Sequence, residues 1–319
     1  MAVYTQLGAE ALAELIGHYD IGALVSAKGI AEGVSNSNWL IETERGRYVL
    51  TMYERRVDVG DLPYFLALVD HLAAKGSPVP ATIHDRAGAA SRAIGDKTVA
   101  LFEFLPGVSP TAPTPAQARA AGKALARLHR DAGDFAPIRA NSVGPDEWRR
   151  LADACGTHGF AAIDPALGGI VSATLPRVLA EWPGSLPRAT IHADLFPDNV
   201  LMLGNTVTGL IDFYFACTDF AAYDVAVTHA AWCFGGPDET FSPAVSGALL
   251  AGYEALRPLS AAERDALPLL AQGAALRFVL TRAFDWINTP ANALVTRKDP
   301  MAFARRLQVY AESGKAAFS

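Results

Sequence analysis

Ile191-His192-Ala193-Asp194-Leu195-Phe196-Pro197-Asp198-Asn199-Val200-Leu201 is the stretch from which the rest of the chain is best read. Residues 189–192 ahead of it read as a short strand. Behind it, 200–203 and 207–212 read as two more, with Gly204-Asn205 as the turn between them. His192, Asp194, Asp198 and Asn199 crowd into the space between, around a proline that no strand interior tolerates. The stretch is therefore a polar loop set between strands. Its bland reading is a hairpin with surface carboxylates, because Asp and Asn side chains bond nearby backbone in turns.

Working outward, residues 5–19 predict an amphipathic helix, with Leu7, Ala11, Leu15 and Tyr19 at helical spacing. The period then changes to strands over 23–28, 38–43 and 47–53, with turns over 29–37 and at Glu44-Arg45-Gly46. Asp61 is expected to cap a helix running to about Lys75, with Leu62, Phe65, Leu66, Val69 and Leu72 on its apolar face. Strands at 90–94 and 98–103 join through Gly95-Asp96. Composition shifts at Leu105: residues 106–115 are rich in Pro, Ser and Thr and form no regular element. The boundary between a first domain, 1–105, and a second, 106–319, is placed there. Thr114-Pro115-Ala116-Gln117 opens a helix to about Arg130, and from Tyr223 the chain is mostly helical. The class is α+β, a small antiparallel-sheet domain followed by a larger, mostly helical one.

The chain has 319 residues, 51% of them hydrophobic, enough for a core in each domain. A net charge of −6 argues against a nucleic-acid partner, which needs a basic surface, and leaves room for a local basic pocket. Cys155, Cys217 and Cys233 have no paired spacing, so neither a disulfide framework nor a zinc site is expected. The start lacks the basic and apolar runs of a signal peptide, and a cytoplasmic setting is expected. Residues 267–280 are interrupted by Gln272, Gly273 and Arg277, so no membrane span is expected. Oligomeric state leaves no mark in the sequence.

His192-x-Asp194, with Asn199 five residues after the Asp, is the spacing of a kinase catalytic loop. By chance those three positions match in about one chain of this length in a hundred, which weighs against the bland hairpin. Leu210-Ile211-Asp212-Phe213 falls where the metal-binding Asp of a kinase belongs, although Tyr214 replaces the usual Gly. Phosphoryl transfer asks for positioning, charge neutralisation and a group that takes the hydroxyl proton. Asp194 is the candidate base. Asn199 and Asp212 offer the hard oxygens that magnesium prefers. His192 is expected to support the loop by hydrogen bonding.

Together with Gly33-Val-Ser-Asn-Ser-Asn-Trp39, Tyr48-Val-Leu-Thr-Met-Tyr-Glu54 and 211–224, these residues resemble the aminoglycoside phosphotransferase-like superfamily over nearly the whole chain. Those proteins are small-molecule relatives of the protein kinases, and within them the chain is similar to the bacterial homoserine kinases of this fold. The resemblance implies a two-lobed protein-kinase-like fold that uses ATP and Mg2+ to phosphorylate the hydroxyl of L-homoserine, a step of threonine biosynthesis. It matches Asp194 to the catalytic base and Asn199 and Asp212 to the magnesium ligands. Residues 29–38 match the phosphate-covering loop, where Gly33, Ser35 and Asn36 would offer donors. Residues 101–107 match the hinge, where Glu103 and Leu105 would face the adenine. Asp224 matches an Asp that caps its helix or braces the catalytic loop.

One departure stands out. Thr51 occupies the place of the strand Lys of protein kinases, and the following helix holds no Glu to pair with such a Lys. The phosphate-facing cation stays open among Lys28, Arg47, Arg55 and Arg56. For an amino-acid substrate, a carboxylate partner is expected, and Arg277 and Arg282 lie in an apolar helical run where a charge must be paired or reach water. Arg282 is the expected carboxylate binder, with a structural salt bridge the alternative for either Arg. Asp219 is a helix cap or a partner for the substrate ammonium. Choline, an aminoglycoside or another small alcohol stand as alternative acceptors. A non-catalytic nucleotide-binding module is the third reading, which the missing Lys suits and the retained Asp194, Asn199 and Asp212 oppose.

Overall fold

Alternation in the first third of the chain buries one face of a five-stranded antiparallel sheet. The computed structural model describes residues 7–30, 36–53, 58–236, 239–289 and 297–319, and the chain divides into two compact units, Met1–Pro106 and Gly107–Ser319. The first contains α1 (Ala9–Ile16), β1 (Leu24–Ile30), β2 (Ser37–Thr43), β3 (Gly46–Tyr53), α2 (Leu62–Ala74), β4 (Arg92–Ile94) and β5 (Lys97–Glu103). The strand order is β1-β2-β3-β5-β4. Register sets Trp39 opposite Leu50, Leu50 opposite Leu101 and Met52 opposite Val99. With a side-chain period of two, these residues share one face. They pack with Leu12, Leu15, Ile16 and Tyr19 into the core of this unit.

Two local expectations are corrected here. Helix α1 stops at Ile16 with Gly17 at its C-cap, short of Tyr19, and residues 5 and 6 lie outside the described residues. Asp61 occupies the N-cap position of α2 but makes no side-chain cap bond. Its backbone is already helical, because a 3-10 turn over Val59–Asp61 runs straight into α2. Asp58, whose backbone is extended as a cap requires, takes the Gly60 N–H at 2.9 Å instead.

The second unit contains α3 (Pro115–Asp131), α4 (Pro145–Ile163), α5 (Leu167–Glu181), β6 (Arg188–Ile191), β7 (Val200–Leu203), β8 (Thr206–Leu210), β9 (Cys217–Phe220), α6 (Ala221–Trp232), β10 (Phe234–Gly235), β11 (Thr240–Phe241), α7 (Pro243–Glu254), α8 (Ala261–Asn288) and α9 (Pro300–Ser313). Helix α3 opens on the expected capping box: Gln117 N–H donates to Thr114 Oγ1 and Thr114 N–H to Gln117 Oε1. β9 escapes the sequence reading, because four residues carry no clear alternation and their partner, β6, is distant in the chain. Helix α6 is buried on every side, as is the middle of α8. Such helices read as apolar runs without a polar face. No helix among the described residues is long and apolar enough to cross a membrane.

Helices α3 and α7 touch backbone to backbone at two glycines. A Cβ on Gly252 would stand 2.0 Å from Arg119 O, and one on Gly122 2.1 Å from Leu249 O. The close approach lets Tyr253, next to Gly252 on α7, reach His129 on α3 with its hydroxyl 2.8 Å from Nδ1. Gly252→Ala is expected to push the helices apart and destabilise this unit by about 1–3 kcal/mol. Urea unfolding monitored by circular dichroism checks it; an unchanged midpoint would show that the backbone contact carries no stability.

Candidate active site

Strand β6 delivers the chain to a loop whose backbone is held from several sides. The Asp224 carboxylate on α6 accepts the N–H of His192 at 2.7 Å and that of Ala193 at 2.8 Å. The same carboxylate accepts His129 Nε2 at 2.9 Å, completing a buried line Tyr253–His129–Asp224–loop. Burial alone would raise the Asp224 carboxyl, but the bonds from His129 and His192 outweigh it and hold the group below its ordinary value. Trp232, also on α6, donates from Nε1 to Leu195 O at 2.9 Å.

His192 is fully buried and serves as a spacer. Its Nε2 lies 3.0 Å from Ile211 O, and its Nδ1 accepts the Asp194 N–H at 3.3 Å. That pattern assigns the proton to Nε2. Burial pushes its pKa down, so the ring is neutral and ties the Asp194 segment to the end of β8.

A 3-10 turn at Pro197–Asn199 follows, and β7 and β8 form the hairpin that returns the chain. Asn199 Nδ2 donates to Asp194 O at 2.8 Å and reaches Asp194 Oδ2 at 3.5 Å. Ile211 N–H donates to Asn199 O at 3.0 Å, which sets Asp212 beside Asn199. Asp212 has left-handed backbone (φ 65, ψ 61), unusual for a residue other than Gly. The fold thus brings Asp194, Asn199 and Asp212 to one place, on a frame made by His192 and Asp224.

The electrostatics of this place are acidic. Burial raises the Asp194 carboxyl, opposed first by Arg277 and then by His192 and Lys298; its side chain keeps 18% of its surface exposed. Desolvation by surrounding protein, reinforced by the negative charges of Asp194 and Asp198, pushes Asp212 up to about 7. Asp212 remains open to solvent, so a cation can reach it. Among the described residues no cluster of three or more His, Cys, Asp and Glu could hold a metal. Magnesium does not need one, since it is commonly held by one or two protein oxygens together with substrate phosphates. Asn199 Nδ2 is spent on Asp194 O, which leaves its amide oxygen, with the Asp212 carboxylate, as the kind of oxygens that could serve such an ion.

Of the other expected site residues, Asp219 is bonded away from this place and Arg282 lies within range of the Asp194 charge. Asp219 is buried on β9, with Oδ1 taking the Phe220 N–H and Oδ2 the Asn141 amide, each at 2.8 Å. Both oxygens are engaged, and it touches none of Asp194, Asn199 and Asp212. Arg282 on α8 is half-buried; its Nη1 donates to Asp299 O at 3.1 Å and its guanidinium lies 4.5 Å from the Phe303 ring centroid. It forms no salt bridge among the described residues. Desolvation and the neighbouring Arg306 charge push it down to about 10.

In the first unit, Asn36 is buried just ahead of β2, Glu103 ends β5, and Leu105 follows with its backbone unbonded to any described residue. Gly33 and Ser35 lie outside the described residues, as do Arg55 and Arg56. Thr51 Oγ1 donates to Asn38 Oδ1 at 2.8 Å, so a neutral pair fills the place where a Lys was missed. Of the remaining basic candidates, Lys28 is exposed on β1 and Arg47 stacks 4.6 Å over Phe104.

Two residues at the site were ranked too low or passed over in the sequence. Arg277 carried the right signal, a charge in an apolar run, but its partner is invisible in sequence: Nη1 donates to Ala193 O, and Nη2 lies 3.7 Å from Asp194 Oδ1. Lys298 carried no signal; tertiary folding alone sets its Nζ 3.9 Å from Asp198 and 5.8 Å from the Phe196 ring centroid.

Comparison with known proteins agrees with this architecture. The profile of the family described as "Phosphotransferase enzyme family" matches residues 26–259. A homoserine kinase of Acidiphilium cryptum is 53% identical over 317 residues, covering 99% of each chain. One of Gluconobacter oxydans is 52% identical over 310 residues, covering 97% of this chain and 98% of that one. Among solved structures, an amicoumacin kinase in complex with AMP-PNP and Ca2+ superposes with a TM-score of 0.71 at 14% identity, covering 97% of this chain and 94% of that one. The last likeness establishes the protein-kinase-like fold.

Proposed function

The chain belongs to the phosphotransferase enzyme family, and from that premise we propose that it transfers the γ-phosphoryl group of ATP to the hydroxyl of L-homoserine, giving O-phosphohomoserine and ADP. The observation that carries the reaction type is the convergence of Asp194, Asn199 and Asp212 at the mouth of one hairpin. The nearly full-length identity to homoserine kinases supports the acceptor.

In this reading Asp194 takes the hydroxyl proton as the substrate oxygen attacks the γ-phosphorus and the bond from that phosphorus to the β-phosphate oxygen breaks. Partial burial holds its carboxyl above the usual range, which suits a proton acceptor working near neutral pH. Asn199 Oδ1 and the Asp212 carboxylate would hold magnesium, which when bound neutralises phosphate charge and aligns the transferred group. His192 and Asp224 keep the Asp194 backbone in register. Glu103 and Leu105 would face the adenine, with Gly33, Ser35 and Asn36 toward the phosphates. Asp219, with both oxygens engaged, is given no substrate role.

Arg282 is the proposed partner of the homoserine carboxylate, a desolvated guanidinium without a salt bridge among the described residues. A charge-assisted bond to it contributes about 1.5–3 kcal/mol. Arg282→Met is accordingly expected to raise KM for homoserine by about 10- to 100-fold and leave KM for ATP unchanged. The function is tested by an ADP-release assay over homoserine, choline and aminoglycosides. Turnover with homoserine above the others supports it, and turnover with another alcohol but not homoserine overturns the acceptor.

A further inference from the structure

Ala193 is the residue on which the loop turns, and its backbone is gripped from two helices. Its φ of 61 is left-handed, a conformation L-residues other than Asn and Asp rarely hold unless their surroundings impose it. Asp224 of α6 takes its N–H at 2.8 Å, and Arg277 of α8 donates from Nη1 to its carbonyl. Arg277 is itself almost fully buried, its side chain 1% exposed, with the Phe278 and Phe215 ring centroids at 4.6 and 5.1 Å. Its Nε finds no acceptor among the described residues. Burial of a charge so incompletely bonded is unfavourable unless it answers another charge. The carboxylate it answers is Asp194, 3.7 Å from Nη2.

We infer that Arg277 is a positioning residue for Asp194: one end of its guanidinium fixes the carbonyl of Ala193, and the other holds the next residue's carboxylate at ion-pair range. The fork geometry matters. A guanidinium offers two nitrogens in one rigid plane, so a single side chain spans a backbone carbonyl and the carboxylate that follows it, which an ammonium does not. At 3.7 Å the second arm lies beyond hydrogen-bond distance. It orients the carboxylate without occupying the lone pair that must receive a proton.

This inference rests on Asp194 being the base, and its test separates the two. Arg277→Gln and Arg277→Lys are compared with wild type and Asp194→Asn in steady-state phosphorylation of the acceptor alcohol, with thermal melts on each protein. Misplacing a catalytic group by about an ångström lowers rates about 100-fold. Arg277→Gln is expected to lose kcat by about 10- to 100-fold with both KM values within about twofold, and Arg277→Lys to recover part of that loss. Should Arg277→Gln fail to fold, Arg277→Lys alone decides: a several-fold loss of kcat in a protein that melts near the wild-type temperature supports the assignment. Wild-type kcat in Arg277→Lys and Arg277→Gln, or a raised KM with kcat intact, overturns it. Activity surviving in Asp194→Asn would instead overturn the assignment of the base.

Discussion

Asparagine in place of Asp194 is expected to lower kcat by about 10^2 to 10^4 while the protein stays folded, the range that general-base catalysis contributes. An amide of the same shape cannot accept the hydroxyl proton. The fold should survive it at a lowered melting temperature, because the backbone bonds of Asp194 to Asn199, Phe196 and His192 remain while Arg277 loses the carboxylate that faces it. Burial raises the Asp194 carboxyl, so removing that charge takes away a group that is itself poorly solvated. Steady-state kinetics, a circular dichroism melt and a nucleotide-binding titration on one preparation check the three parts. A variant that turns over at the wild-type rate would move the base elsewhere.

Asp224→Asn is expected to act on stability first. The wild-type carboxylate, fully buried, accepts three donors: the N–H of His192, the N–H of Ala193 and Nε2 of His129. An amide in its place turns an N–H toward at least one of them and leaves buried donors facing each other. Leaving a buried donor without an acceptor costs about 1–3 kcal/mol. For a unit of this size that lowers the melting temperature by roughly 5 °C. The effect also has a pH sign. The folded carboxyl is held below its ordinary value of 3.8, so its contribution is fully present above that value and fades as pH falls through the folded pKa. The wild type should therefore lose stability in that acid range more steeply than Asp224→Asn. Parallel acid titrations of the two variants would contradict the ionised state assigned here. A fall in kcat should accompany the loss, because the same carboxylate holds the backbone from which Asp194 projects.

The two variants divide the site between chemistry and scaffold, and they differ in how far each role could be read from residue order. Asp194, Asn199 and Asp212 are recognisable because a turn and a hairpin bring them together locally, so their spacing in the chain is already their spacing in the site. The capping box at Thr114 and Gln117 is legible for the same reason. Asp224 was recognisable as a member of a pattern, but its three partners come from α3 and from the loop itself. Arg282 and Arg277 lie on one helix, five residues apart, and residue order could not say which of them meets Asp194. That depends on the rotation of α8 against the loop over 192–199. β9 was missed because strand pairing with β6 is a long-range bond that four residues do not announce.

Residue order by itself determined which side chains could carry the chemistry, along with the period that makes the first unit a sheet and the second mostly helical. Local geometry is enough for that, since helix and strand periods and short loops are fixed by backbone sterics within a few residues. Tertiary structure alone decided what faces Asp194: an arginine from α8 and a brace from α6 that in turn leans on α3 and α7. Those partners are distant in the chain and meet only because buried faces pack at particular rotations and, at Gly122 and Gly252, at backbone contact.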